Sequence, residues 1–243
     1  MSRRIDTHGC QSYGTTPYIE EIFVGRCWDY QYVYNDESCM VRDVKNCSEL
    51  WQLFRSGFAY RDPCNVTGDL YKDFAEAAMH DVGVDKTMFW SGTYFAAHAY
   101  SALSQRLTTL EDTLTGYVAQ QLIWCGQTDD PGINYMSCNE RCYRSAEEAF
   151  WGVASTAFAR QAKGEVFTLL NGSRPEGAFK NDSYFAKYEL PNLDQGQVTM
   201  INIVVIHSLD TPATETCDTG SILDLKEIIT QYGFRYTCTD DPK

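Results

Sequence analysis

Hydrophobic positions recur at a helical interval through the first eighty residues. Ile19, Ile22, Phe23 and Cys27 line one face behind Pro17, which sits at a helix start. The run Cys47 to Phe54 opens with a capping serine, Ser48, and carries the same face on to Phe58. Thr67-Gly68-Asp69 caps a third helix from about Leu70 to His80. The period then changes. Lys86 to Trp90 is short, apolar and closed by Ser91-Gly92, the pattern of a buried strand that ends in a turn. Helices are predicted over Tyr94–Arg106, Leu114–Trp124 and Ser145–Gly164, the last with an N-cap serine and glutamates in its first turn.

The last third alternates. Glu165–Leu170 and Val198–His207 read as strands, Ser221–Tyr232 as a helix and Phe234–Cys238 as a strand. Strand–helix–strand alternation implies a small, mostly parallel sheet. The fold class is therefore α+β: a helical N-terminal part, then an α/β part. Because the strand around Phe89 is expected in the later sheet, the domains are discontinuous. Residues 1–85 and 93–144 form the helical one, and residues 86–92 and 145–243 the α/β one. An active site is expected in the cleft between them.

Charge and cysteine content narrow the setting. The 33 acids and 20 bases leave a net charge of −13, the wrong balance for a nucleic-acid partner and a suitable one for a small cation. Ten cysteines, with no C-x-x-C pair and no well-placed histidines, fit five disulfides better than zinc. Sequons begin at Asn46, Asn65, Asn171 and Asn181. No apolar run reaches the ~18 residues of a membrane span. Residues 1–10 carry no apolar signal core, so the chain reads as the mature part of an exported protein, secreted or luminal in secretory vesicles.

Several residues stand out. Trp90 ends a strand, where ligands of α/β sheets bind. Trp151 lies beside Phe150 on the long helix, and for either tryptophan taken singly a place in the core is the more ordinary reading. Glu111-Asp112 stands in a Thr-Leu-Glu-Asp-Thr stretch where both acids could simply cap a turn. Glu189 stands in KYELPNL, where a solvated acid is the bland alternative. His98 and His207 are assigned to structure.

Taken together, FWSG, TLEDTLTGY, WCGQ, FWGVAS, GEVFTLLNGS and KYELPNL, in this order and with this cysteine spacing, resemble the ADP-ribosyl cyclase / NAD glycohydrolase family. Within it the mollusc ovotestis enzyme is nearer than the mammalian lymphocyte-surface one. The resemblance runs from about Phe23 to Cys238. It implies that Glu189 is the catalytic glutamate, that Trp90 and Trp151 position the substrate, and that Glu111, with Asp112 beside it, contacts the nicotinamide carboxamide. Ser91, Gly92, Tyr184, Phe185 and Gln120 are implied as further substrate contacts. Gln120 stands where relatives carry Asn or Asp, and Tyr184 where they carry Phe or Thr. NAD is implied as substrate, with no cofactor and no metal, and a homodimer is expected. Disulfides Cys27–Cys47, Cys64–Cys142, Cys125–Cys138 and Cys217–Cys238 follow by similarity, which leaves Cys10–Cys39 by elimination.

The implied chemistry suits the residue types. A pyridinium ring is attracted by indole faces and carboxylates. Breaking its N-glycosidic bond leaves an oxocarbenium ion, which a fixed carboxylate can stabilise or trap. Nicotinamide leaves neutral, so no second, proton-donating carboxyl is needed. Water then gives ADP-ribose, the adenine of the same molecule gives cyclic ADP-ribose, and another pyridine gives base exchange. Three alternatives remain in view: a glycohydrolase with little cyclisation, a non-catalytic secreted binding protein of the same fold, and a carbohydrate hydrolase using Glu111 and Glu189. Tyr184 and Glu189 are five residues apart, so both can face one pocket only if residues 181–191 form a loop or a bulge. Asn181-Asp182 and Pro191-Asn192 favour the loop.

Overall fold

The computed structural model describes residues 14–34, 44–104, 107–138, 142 and 145–242. Contacts group them into two units. One holds the residues up to Ala78 together with Val118–Trp151; the other holds Met79–Tyr117 and the residues from Gly152 onward.

The first unit is helical. It contains α1 (Ile19–Asp29), α2 (Cys47–Ser56) and α3 (Lys72–Ala78). The aromatic residues at helical spacing do what their pattern predicts. Phe23, Phe54 and Phe74 are fully buried, and Phe54 meets Trp124 at 4.9 Å and Phe150 at 5.4 Å. The Trp124 indole donates to the Tyr71 hydroxyl at 3.0 Å, so neither polar atom is lost in the core. Three disulfides staple this unit: Cys27–Cys47, Cys64–Cys142 and Cys125–Cys138. Two local expectations change. The cap of α2 is Asn46, whose side chain accepts from Ser48 N and Glu49 N, because the helix begins one residue before the serine. The helix expected to run to Trp124 stops as α5 (Leu114–Ala119), since Gln121 adopts a left-handed φ of 59°.

The second unit is built on four strands, β1 (Met88–Ser91), β2 (Gly164–Asn171), β3 (Val198–Ile206) and β4 (Tyr236–Asp240). Their order is 1-2-3-4 and every pair is parallel. The two inner strands read as nearly continuous apolar runs, as strands covered on both faces do. The polar outer strand β4 is mostly exposed. The strand around Phe89 does join the later sheet, as the sequence pattern predicts. Phe89 faces Phe158 and Phe185 on one side of it. Met88 and Trp90 point to the other side, against Ala97 of α4 (Tyr94–Ser104) and Leu169.

Residues 93–117, assigned from periodicity to the helical part, group instead with the sheet. The reason is local: α4 covers β1, and Thr108 bridges Thr87 to prolong that strand. The first turns of α6 (Ser145–Gln161) group with the helices rather than with the sheet. Helix α7 (Ser221–Gln231) buries Ile222, Leu225 and Ile229, and Cys217–Cys238 ties its approach to β4. Cys10 and Cys39 lie outside the described residues. Among the described residues no helix is long and apolar enough to cross a membrane.

Candidate active site

Glu189 ends neither a strand nor a loop. Residues Phe185–Glu189 form a single π-helical turn, closed by Leu190 N donating to Phe185 O, and Leu190–Asn192 follow as a 3-10 turn. Of the loop expected over residues 181–191, residues 181–183 form a turn and the rest is helical. A wide turn can bring residues five apart toward one side, because π geometry pairs residue i with i+5. Tyr184 stands at the start of this turn and Glu189 at its end.

Helix α6 holds the turn in place. Gly152 has no side chain, and a Cβ there would press on the Tyr188 ring at 3.0 Å. Ser155 Oγ donates to Glu189 Oε1 at 3.0 Å. Arg160 donates to the Asn192 side chain at 3.2 Å, and Asn192 donates to Tyr188 O at 2.9 Å. Glu189 is only 6 % exposed, and its Oε2 is buried without a hydrogen-bond partner. Burial pushes its pKa up to about 8; the Ser155 hydrogen bond opposes this, and the charge of nearby Glu111 adds to it. An acid kept this dry, and beside another acid, costs stability, and such groups concentrate at sites of chemistry.

The adjacent acids Glu111 and Asp112 separate in role. Both sit on the short 3-10 turn Leu110–Asp112. Asp112 turns inward, where its Oδ2 accepts from Thr109 N at 2.9 Å, Thr109 Oγ1 at 2.8 Å and Ser101 Oγ at 2.6 Å. Burial alone would raise its pKa, but these bonds and His98 outweigh that and hold it at about 2. Expected among the substrate contacts, Asp112 is a capping residue with its carboxylate already engaged. Glu111 accepts from the Trp90 indole at 3.1 Å, and burial raises its pKa in spite of that bond. So Trp90, at the end of β1, and Glu111 form one constellation whose field reaches Glu189.

The remaining expected residues divide. Ser91 is buried, and Gly92 has φ of +70° with the Arg174 side chain packed where a Cβ would stand. Tyr184 is 37 % exposed and its ring leans on Tyr188 at 5.4 Å. Phe185 is fully buried against Phe89, so it supports the turn from the core and presents no surface to a ligand. Trp151 is half-buried next to Phe150, one helical turn before Ser155 on the same face of α6. Gln120 lies in the helical unit, its carbonyl held by Arg26 at 2.6 Å. Among the described residues no group of three or more His, Cys, Asp or Glu side chains is placed to hold a metal ion.

Two residues of this region escape a reading by motif. Ser155 could have been found from FWGVAS, since it lies one turn beyond Trp151. His98 lies one turn beyond Tyr94 on α4; its ring stands 4.3 Å from that of Tyr94 and between the two acids. His207 is structural, as expected. It joins the end of β3 to Asp241 and to the Glu215 carbonyl.

The ADP-ribosyl cyclase family model matches residues 16–243. The chain is 41 % identical to the ADP-ribosyl cyclase/cyclic ADP-ribose hydrolase of Aplysia californica, over 93 % of this chain and 80 % of that one. It is 34 % identical to the human ADP-ribosyl cyclase/cyclic ADP-ribose hydrolase 2, over 94 % and 71 %. The crystal structure of Aplysia cyclase complexed with substrate NGD and product cGDPR superposes with a TM-score of 0.87 at 40 % identity, covering 94 % of this chain and 91 % of that one.

Proposed function

The chain belongs to the ADP-ribosyl cyclase family, and from that premise we infer that it cleaves the bond between nicotinamide and ribose in NAD. The products are nicotinamide with cyclic ADP-ribose, ADP-ribose, or both. The observation that carries the assignment of roles is Glu189: a buried carboxylate anchored through one oxygen, with the other bare.

Each step follows from the groups present. The pyridinium ring of NAD is a cation, and the Trp90 ring with the Glu111 carboxylate offers it π density and negative charge. Glu111 accepts a hydrogen bond from the nicotinamide carboxamide. Glu189 binds a proton in the resting protein, its pKa being about 8. Arrival of a fixed positive charge favours the ionised form and expels that proton. As the C–N bond breaks, the ring's charge moves to the ribose, and ionised Glu189 faces the oxocarbenium ion in a dry site, where one charge counts for more than in water. The electron pair of the broken bond stays on nicotinamide, which departs neutral. Attack by water yields ADP-ribose, and attack by the adenine yields cyclic ADP-ribose.

The disulfides support an oxidising, extracellular or luminal setting. A homodimer is proposed from the likeness to the molluscan relative. The deciding experiment is incubation of the protein with NAD, followed by chromatographic separation of nicotinamide, cyclic ADP-ribose and ADP-ribose. Nicotinamide release with either partner product is expected. Intact NAD after prolonged incubation overturns the assignment.

A further inference from the structure

We propose that His98 is a positioning residue of this site: held as an imidazolium between Glu111 and Asp112, it keeps Glu111 ionised and aimed at the nicotinamide carboxamide. The proposal rests on the reading of the site as NAD-cleaving, and the reaction as derived above makes no use of this side chain.

The geometry points to it. His98 Nε2 lies 3.9 Å from Glu111 Oε2, and Nδ1 lies 3.8 Å from Asp112 Oδ1. A neutral imidazole carries a proton on one nitrogen and so can face only one carboxylate favourably; the imidazolium suits both. The ring is held by Tyr94, one turn earlier on α4, at 4.3 Å, and by Trp90 at 6.2 Å. Asp112 is itself clamped by Thr109 and Ser101, so it gives the imidazolium a fixed anchor.

Glu111 needs such a neighbour. It is largely shielded from solvent, and when Glu189 ionises the two carboxylates oppose one another. The Trp90 indole supplies a hydrogen bond but no charge. The His98 cation favours ionised Glu111 from just beyond hydrogen-bond length, and so does not compete for the carboxylate's acceptor positions. Among the described residues, the titratable groups facing His98 are Glu111 and Asp112 from the 3-10 turn and Tyr94 from its own helix. Burial works against the imidazolium and the two acids outweigh it, so its pKa lies above the ordinary histidine value.

The test has two arms. In the first, nicotinamide release by wild type and His98→Gln is followed against NAD concentration between about pH 5 and 9. The KM of the variant should rise about fivefold at neutral pH while kcat changes by less than about twofold. Wild-type KM should climb at alkaline pH as His98 loses its proton, and the variant's KM should not. A variant whose KM and KM–pH curve match wild type overturns the proposal. The second arm needs neither turnover nor a folded His98 variant. Imidazole NMR titration of wild type and Glu111→Gln should show the His98 pKa falling by about half a unit or more in the variant; a pKa that does not move overturns the proposal. If the wild type releases no nicotinamide, the reading of the reaction fails, and this second arm still decides the coupling of His98 to Glu111.

Discussion

Ser155 Oγ donates to Glu189 Oε1 at 3.0 Å, and the opposite oxygen of the same carboxylate is buried with no partner. The serine fixes the direction of the acid and also opposes the rise in its pKa. Removing it should therefore act twice. Ser155→Ala leaves Glu189 harder to ionise and free to rotate. A hydrogen bond to a charged group is worth about 1.5–3 kcal/mol, so kcat/KM should fall about tenfold or more at neutral pH. The acid limb of the pH profile should move to higher pH, and raising the pH should recover part of the loss. A profile that keeps its midpoint would remove Ser155 from the mechanism.

Glu189→Gln separates chemistry from stability. Loss of the charge facing the oxocarbenium ion should cost roughly a hundredfold or more in nicotinamide release. The same change should stabilise the fold. The folded pKa of about 8 lies above the ordinary carboxyl value of 4.5. Such an acid binds its proton more tightly when folded; its favourable contribution is complete below about pH 4.5 and is lost as the pH rises to about 8. Glutamine does not titrate. The variant's excess in thermal stability should be small near pH 5 and grow, to the order of a few kcal/mol, by about pH 9. Melting curves at the two pH values test this, and an excess that does not grow with pH would contradict the burial argument.

How far the sequence foretells this site depends on what each residue's neighbours contribute. The strand ending in Trp90 and the apolar runs of β2 and β3 are legible because burial on both faces leaves a short, nearly unbroken apolar run in the chain. Glu111-Asp112 is legible as a pair but not as a division of labour. That division depends on Ser101 and His98, which reach Asp112 from α4. The π turn at Phe185–Glu189 is not legible either, since no propensity marks a single wide turn, and Asn181-Asp182 with Pro191-Asn192 argues for a loop. Phe185 is expected as a ligand contact only through the family resemblance. The turn rotates it into the core against Phe89.

The junction at the end of β3 should respond to pH in the opposite sense to an ordinary carboxylate pair. His207 Nδ1 faces Asp241 Oδ2 at 2.8 Å and Nε2 faces the Glu215 carbonyl at 2.7 Å, so both nitrogens meet acceptors and the imidazolium is favoured. A raised histidine pKa gives stability that is complete below about 6.5 and lost as the pH rises through the folded value. His207→Gln should therefore lower the melting temperature clearly at about pH 6 and by less at about pH 9. Gly172 is the companion test. A Cβ there would collide with the His207 ring and stand 2.6 Å from Glu215 O. Gly172→Ala should destabilise by about 1–3 kcal/mol, and a melting temperature equal to wild type would show that the loop yields without cost.

Tyr184 should govern what attacks the intermediate. Its backbone begins the turn that ends in Glu189, its ring leans on Tyr188, and it is exposed enough to meet a ligand. From there a flat ring can stack on adenine, hold NAD folded and shield the ribose from water. The hydroxyl adds nothing to stacking and could order an attacking water. Tyr184→Phe should therefore keep or raise the share of cyclic ADP-ribose. Tyr184→Thr replaces the ring with a small polar group, admits water and leaves adenine unsupported, so output should shift toward ADP-ribose. The total rate of nicotinamide release should change far less than the ratio, because the attack comes after the C–N bond has broken. Chromatography of the products of both variants beside wild type measures the ratio directly. If neither variant changes it, adenine is held by other side chains and Tyr184 serves only to brace Tyr188.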